Sequence, residues 1–395
     1  MSQATGVSGV SGWWRGAFAI TLALAMGIGT FVIAAVSALS PVIVAELDMS
    51  RAQLGSLTTV AFGVAASASI VVGRWVDLVS ARRSIAWVFV TGGAAAVVAA
   101  GAGSLRWLWL AGALCGCSGA VSNPVTNRLV SSYIPIGRQG FQIGLKQSGV
   151  SMTQAAVGFG LPPLAILVGW RMSMLTGAAC ALLGLLLAWA MFSAAQPVET
   201  VELGVRRVPE DGSGLRLAVY AFLLATVTTS VSLHMPLYAF DQLGFTATLS
   251  GMTTGVMGAV GILGRILWGR ASERYIRPDQ LLAVIAVAAF FSVLCILFSQ
   301  RVSPWLLWVG LVAFGSSAVA ANAVVMLAVI RGSASGGTGR ASGLVGLGLF
   351  LGFMIGPVTF GAVVDATNSY VVGWGGVCAV SLLALGVIKV GAISR

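Results

Sequence analysis

Gly73-Arg74-Trp75-Val76-Asp77, followed by Arg82-Arg83, separates two long apolar runs. Gly269-Arg270-Ala271-Ser272-Glu273-Arg274 does the same 196 residues later. Both read as Gly-Arg-x-x-acid in the loop after a second apolar segment. Other features recur near that offset: Asn123 with Asn322 at 199, and Pro162 with Pro357 at 195. Each pair alone is weak. Together they predict a six-helix unit used twice, its copies related by an axis along a membrane normal.

Composition supports a membrane setting. Of 395 residues, 58% are hydrophobic and 8% charged. A water-soluble globule needs about 25% charged residues to cover its surface. The 52 glycines fit close approach of helices in lipid. The net charge of +11 would suggest nucleic acid in a soluble chain, but here the charges lie in short connections, so no nucleic-acid partner is expected. Cys115, Cys117, Cys180, Cys295 and Cys378 sit inside apolar segments with no metal-ligand spacing, and read as small core residues. The first apolar run is too long for a signal peptide and is expected to be a retained helix.

A span needs about 20 apolar residues. Twelve segments qualify, near 17–45, 54–73, 84–103, 105–130, 141–168, 172–194, 216–240, 249–268, 280–299, 304–329, 342–364 and 370–391. The polar stretch 195–215 divides them six and six. The expected organisation is an all-α membrane protein: an N-terminal bundle over 1–194, a cytoplasmic linker over 195–215 and a C-terminal bundle over 216–395. With the N-terminus inside, 18 of the 22 Lys and Arg residues fall on the inner side, leaving Arg51, Arg106, Arg171 and Arg301 outside. That bias predicts a multi-pass inner-membrane protein with both termini cytoplasmic.

At this point the chain resembles the major facilitator superfamily, over essentially its whole length. Gly73, Asp77, Arg82 and Arg83 look like that superfamily's signature between helices 2 and 3. Gly269, Glu273 and Arg274 look like its degenerate copy between helices 8 and 9. The resemblance implies rocker-switch alternating access, with the loop acid pinning neighbouring helices in the outward-open state. The residues are compatible with gating: glycine permits close packing, an acid suits a helix N-terminus, and arginines suit acids or anionic lipid. The plainer reading is a basic turn that only fixes topology.

Ionisable residues inside apolar runs are costly and mark functional positions. All eleven acids fall in loops or at helix ends. The bases differ. Arg265 lies in the eighth segment, Lys146 with Gln147 in the fifth, and Arg128 beside Asn127 in the fourth. Asn123 shares a helix face with Asn127, and Asn322 lies in the tenth. A cavity with cations and no acids prefers an anion. Arg265 is the leading substrate contact, since a guanidinium suits bidentate carboxylate binding. The alternative is an arginine snorkelling to the inner surface. Its Arg-x-x-x-Gly-x-x-x-acid spacing resembles the helix 8 arginine that binds carboxylate in oxalate/formate exchangers and monocarboxylate transporters. Those oxalate exchangers also carry a lysine in helix 11; residues 342–364 hold none, which points to a monovalent anion.

His234, the lone histidine, suits proton handling or an interfacial bond to a carbonyl. Tyr238 lies one turn on. The substrate-contact set is therefore Arg265, Asn123, Asn127, Lys146, Gln147, His234, Tyr238 and Asn322. In the eleventh segment, Gly352, Gly356, Pro357 and Gly361 read as a packing and kink motif. The expected function is transport of a small organic anion, a monocarboxylate, by proton symport or anion exchange, in a monomer needing no metal or cofactor. The alternative is a proton-coupled drug or metabolite efflux antiporter, disfavoured by Gly158-Phe159-Gly160-Leu161-Pro162-Pro163 and the missing membrane acid. No nucleophile–base pair, metal cluster or phosphate loop suggests an enzyme.

Overall fold

The structure, a computed structural model, describes residues 12–134, 136–192, 213–274, 278–319, 321, 324–325, 328 and 338–393. Most of the expected linker 195–215 and Asn322 lie outside them, and of Gly73, Asp77, Gly269, Glu273 and Arg274 only the helical backbone is described. The described residues form helices and connecting turns, with no strand among them.

The helices are α1 (Gly12–Ile28), α2 (Phe31–Ala38), α3 (Ser40–Glu46), α4 (Arg51–Leu78), α5 (Ala81–Ala100), α6 (Leu105–Tyr133), α7 (Ile136–Met191), α8 (Ser213–Leu243), α9 (Ala247–Arg274), α10 (Pro278–Ser299), α11 (Trp305–Ser317), α12 (Thr338–Thr367) and α13 (Tyr370–Ile393). Seven are long and apolar enough to cross a bilayer, and an eighth span forms if α1 and α2, bent by 61°, are taken together. α7 is two legs: it breaks at Gly169, whose φ of 81° and ψ of 155° are open to glycine and costly for other residues. With α4 and α6, of 28 and 29 residues, and α11, the described legs match the twelve predicted segments in order. Pro41 lies in the first turn of α3, where a missing backbone N–H costs nothing.

Successive legs alternate direction, which defines a near face, where α1 begins, and a far face. Two buried apolar clusters hold the bundle. One runs from Phe18 to Phe192 and also takes in Leu233 and Leu237 of α8; the other runs from Leu217 to Ile388.

The internal repeat is visible as matched crossings. A Cβ on Gly55 would sit 2.5 Å from the carbonyl oxygen of Pro357, where α4 crosses α12. Gly251, 196 residues after Gly55, packs against Pro162, where α9 crosses α7. Each half thus supplies one glycine and one proline to equivalent contacts with the other half. Ser37 Oγ on α2 donates to the carbonyl of Ser232 on α8 at 2.7 Å, across a separation of 195 residues. The repeated elements therefore touch each other beside the pseudo-twofold axis. Gly352 and Gly356 pack on Phe222 and Thr226 of α8, and Gly361 on Arg51. The glycine series of α12 is a packing surface, because each missing side chain admits a neighbouring backbone.

The signature residues lie on helices rather than in loops. α4 stays helical to Leu78 and α9 to Arg274, so Gly73–Asp77 and Gly269–Arg274 form last turns. The connection after α4 is only Val79 and Ser80. Arg82 stacks over the Trp189 ring at 4.1 Å, and Arg83 is exposed. Arg128 ends no helix, since α6 continues to Tyr133. Its Nη1 donates to the carbonyls of Val76 and Val79, the latter at 2.9 Å. It thereby satisfies acceptors that the end of α4 leaves open.

Candidate functional site

Three helices bring polar side chains to one depth. Asn123 lies ten residues before the near-face end of α6, Arg265 nine before that of α9, and Lys146 ten into α7 from its near-face start. At 1.5 Å per residue each is about 15 Å inside its helix end. α9 continues to Arg274, beyond its apolar span Ala247–Trp268, whose end lies three residues after Arg265.

Lys146 is 1% exposed. Its ammonium donates to Asn123 Oδ1 at 3.0 Å, Thr126 Oγ1 at 2.8 Å and Asn127 Oδ1 at 2.6 Å. Those three bonds use all three ammonium protons. Thr126 passes its own proton to Ser122 O at 2.6 Å. Gln147 Nε2 donates to Asn123 Oδ1 at 3.3 Å. Arg265 Nη1, reaching from the second half, donates to the Gln147 carbonyl. Asn123, Asn127, Lys146, Gln147 and Arg265 therefore form one hydrogen-bonded network spanning the junction of the halves. Asn123 and Asn127 are exposed residues, with their amide oxygens bonded to Lys146. Among the described residues neither Lys146 nor Arg265 meets a carboxylate; the ion pairs there are Arg51–Asp241, Arg51–Asp365 and Arg171–Glu46.

His234 and Tyr238 lie elsewhere, toward the far face on α8. His234 is fully buried, with Nε2 3.2 Å from the carbonyl oxygen of Arg51 and its ring 4.8 Å from that of Phe360. Tyr238 points into the second core, its hydroxyl 3.1 Å from Ile296 O and 3.0 Å from Ser299 Oγ. Thr228 and Thr229 bond back to Leu224 and Ala225 of their own helix.

The far face holds a cluster that charge counting treated as separate loop charges. Arg51 Nη2 is 2.8 Å from Asp241 Oδ2, and Arg51 Nε donates to Tyr370 Oη at 2.9 Å. Tyr370 Oη donates to Asp241 at 2.8 Å. Asp365 accepts the backbone N–H groups of Arg51 at 3.2 Å and Ala52 at 2.8 Å. The first turn of α4 is then complete: Ser50 Oγ accepts from Gln53 N, and Gln53 Oε1 accepts from Ser50 N. The sequence signal was available, since Arg51 is one of few bases on its side and two of the four outer acids face it. Nearby, Glu46 accepts from Trp170 Nε1 at 2.5 Å and from Arg171, whose hydrogen bond and charge hold its carboxyl below the usual range.

Comparison with known proteins agrees with this architecture. Residues 18–357 match the Major Facilitator Superfamily. The probable sulfoacetate transporter SauU of Cupriavidus necator is 23% identical over 379 residues, covering 85% of this chain and 84% of its own. An uncharacterized MFS-type transporter of Mycobacterium tuberculosis is 25% identical over 319 residues, 79% of this chain and 70% of its own. Among solved structures, a bacterial homolog of the human lysosomal transporter Spinster superposes with a TM-score of 0.77 at 16% identity, covering 98% of each chain. The nucleoside transporter NupG gives 0.77 at 13% identity, covering 95% of this chain and 99% of its own. With twelve legs, repeated crossings and a family match over most of its length, the chain belongs to the Major Facilitator Superfamily and is a multi-pass membrane transporter of the secondary type, not an enzyme.

Proposed function

We propose that this transporter moves a small organic anion, a monocarboxylate or a similarly small organic acid, across a bacterial inner membrane. The supporting observation is Arg265. It sits about 15 Å inside its helix end, part-buried and without a carboxylate partner among the described residues, in one network with the buried Lys146. Two cations in a low-dielectric bundle favour a ligand that brings the missing negative charge. The relative named as a probable sulfoacetate transporter is compatible with an organic-acid cargo.

The near face is cytoplasmic in this reading, as the Lys and Arg bias requires. The two bundles meet through the linker at 195–215. The ion pairs of Arg51 with Asp241 and Asp365 across the far face support reading this arrangement as the inward-facing state of an alternating-access cycle. No acid lies in the network among its described residues, which favours anion exchange, or a proton that travels with the substrate. Arg82, Arg83 and the acids of the two signature turns belong to the near-face gate that would close in the other state.

The test is uptake of labelled formate, lactate, pyruvate and sulfoacetate into proteoliposomes, with and without a pH gradient. Uptake of at least one is expected, and Arg265→Gln abolishes it while leaving expression intact. Export of a cationic dye with no movement of any organic acid would overturn the reading in favour of drug efflux.

A further inference from the structure

Lys146 is buried, and as an ammonium it is already saturated. Its three protons go to Asn123 Oδ1, Thr126 Oγ1 and Asn127 Oδ1. No ammonium proton is left for a ligand, so a direct contact between Lys146 and substrate would require breaking this arrangement.

The consequence falls on the two asparagines. An ammonium has no acceptor, so each amide must turn its oxygen, not its nitrogen, toward Lys146. Which end of an amide is oxygen is often ambiguous from shape alone; here the chemistry of the partner decides it. Asn123 Oδ1 is doubly occupied, by Lys146 and by Gln147 Nε2, which fills both of its lone pairs. The Nδ2 groups then point away from Lys146. Neither finds an acceptor among the described residues, and both belong to exposed residues at the junction of the halves. Arg265, from the opposite half, contributes further donors beside Gln147. The open donors of this network are therefore the Nδ2 groups of Asn123 and Asn127 and the remaining N–H groups of Arg265, with Gln147 Oε1 the side-chain acceptor beside them.

We infer that Lys146 is a positioning residue: buried behind Asn123 and Asn127, it holds both amide oxygens and turns the two NH2 groups outward as a donor cradle for the acidic group of the substrate. This rests on the organic-anion reading above and deepens it. Carboxylate and sulfonate both fit, because each presents acceptor oxygens and no protons. The ammonium also polarises the amides it binds, so its charge reaches the ligand without the charge itself being exposed. An ammonium-type cation offers only protons where the cradle already has them, and is disfavoured because donors left facing donors lose their hydrogen bonds on desolvation.

The informative variant is Asn127→Asp. It keeps an oxygen on Lys146, now as an ion pair, so the local fold is retained or strengthened. It replaces the outward NH2 with a carboxylate oxygen. For whichever of formate, lactate, pyruvate and sulfoacetate the wild type transports, KM is expected to rise about tenfold or more, the loss of one charge-assisted hydrogen bond. The melting temperature should not fall, and kcat should change much less than KM. Lys146→Arg, which retains donors for the amide oxygens, should keep KM closer to wild type than Lys146→Met does. If the wild type moves none of the four anions, the organic-anion reading fails and this inference falls with it. If the wild type transports one and Asn127→Asp does so with unchanged KM, the cradle alone is overturned. A Lys146→Met variant that folds and binds with wild-type KM overturns it as well.

Discussion

Asp365 accepts the backbone N–H of Arg51 at 3.2 Å, with that residue's guanidinium 3.6 Å from the same carboxylate oxygen. A carboxylate on α12 thus caps a helix of the opposite half. In the alternating-access reading proposed above, that contact holds the far face closed and breaks when it opens. Asp365→Ala is expected to shift the equilibrium toward the far-open state. The groups are a quarter to a third exposed, so the ion pair is worth only about 1 kcal/mol. The lost backbone bonds add about as much, together a roughly 5- to 30-fold change in the ratio of states. Hydrogen exchange at Arg51–Leu54 checks it, and unchanged protection would show that the cap is inert. Ser50→Ala, whose cap lies within α4, should destabilise the first half without biasing the two states.

The break at Gly169 predicts a steep asymmetry between neighbouring glycines. Its φ of 81° and ψ of 155° suit glycine, and a substituted residue there costs about 1–3 kcal/mol. Gly160 lies within the helical part of α7, and a Cβ there meets nothing within 4 Å. Gly169→Ala should lower the melting temperature clearly, and Gly160→Ala should not. Equal effects would contradict the backbone explanation.

The crossing of α7 and α9 should tolerate no added bulk. Gly158 packs directly on Gly255, and a Cβ on Gly255 would lie 2.8 Å from the Phe159 ring. Gly158→Val is expected to destabilise by about 1–3 kcal/mol, the usual cost of overpacking. Purification yield and melting temperature in detergent would fall together. A Gly144→Ala control, with open space around its Cβ, should behave as wild type.

Glu46 gives a pH dependence of definite sign. Hydrogen bonds from Arg171 and Trp170 lower its pKa below 4.5 in the fold. A carboxyl depressed on folding stabilises above its unfolded pKa, and that contribution disappears as pH falls through the folded value. Its side chain is 44% exposed, so the effect is small and weakened by salt. Melting temperature should decline between pH 5 and 3 by more in the wild type than in Glu46→Gln. Parallel declines would show that the Glu46 contacts carry no stability.

Much of the fold is legible in the chain because lipid imposes a simple code. Twelve apolar runs, a biased Lys and Arg distribution and a repeat near 196 residues each follow from crossing a bilayer with a duplicated unit. The repeat also pointed at Pro162 and Pro357, which meet Gly251 and Gly55 at equivalent crossings. The candidate site was legible in part. Asn123, Asn127, Lys146, Gln147 and Arg265 were singled out as polar groups in apolar segments, and the fold brings these five together. His234 and Tyr238 were singled out by the same logic and lie toward the far face.

The sequence by itself determined the membrane setting, the helix count, the twofold repeat and the cationic character of the polar interior, since these depend on composition and spacing along one chain. Tertiary structure alone decided which polar groups meet, that Lys146 donates to two asparagine oxygens and the Thr126 hydroxyl, and that Asp365 caps the helix begun by Arg51. Those facts depend on rotation and offset between helices far apart in sequence. Side-chain packing sets both, and hydropathy does not encode them.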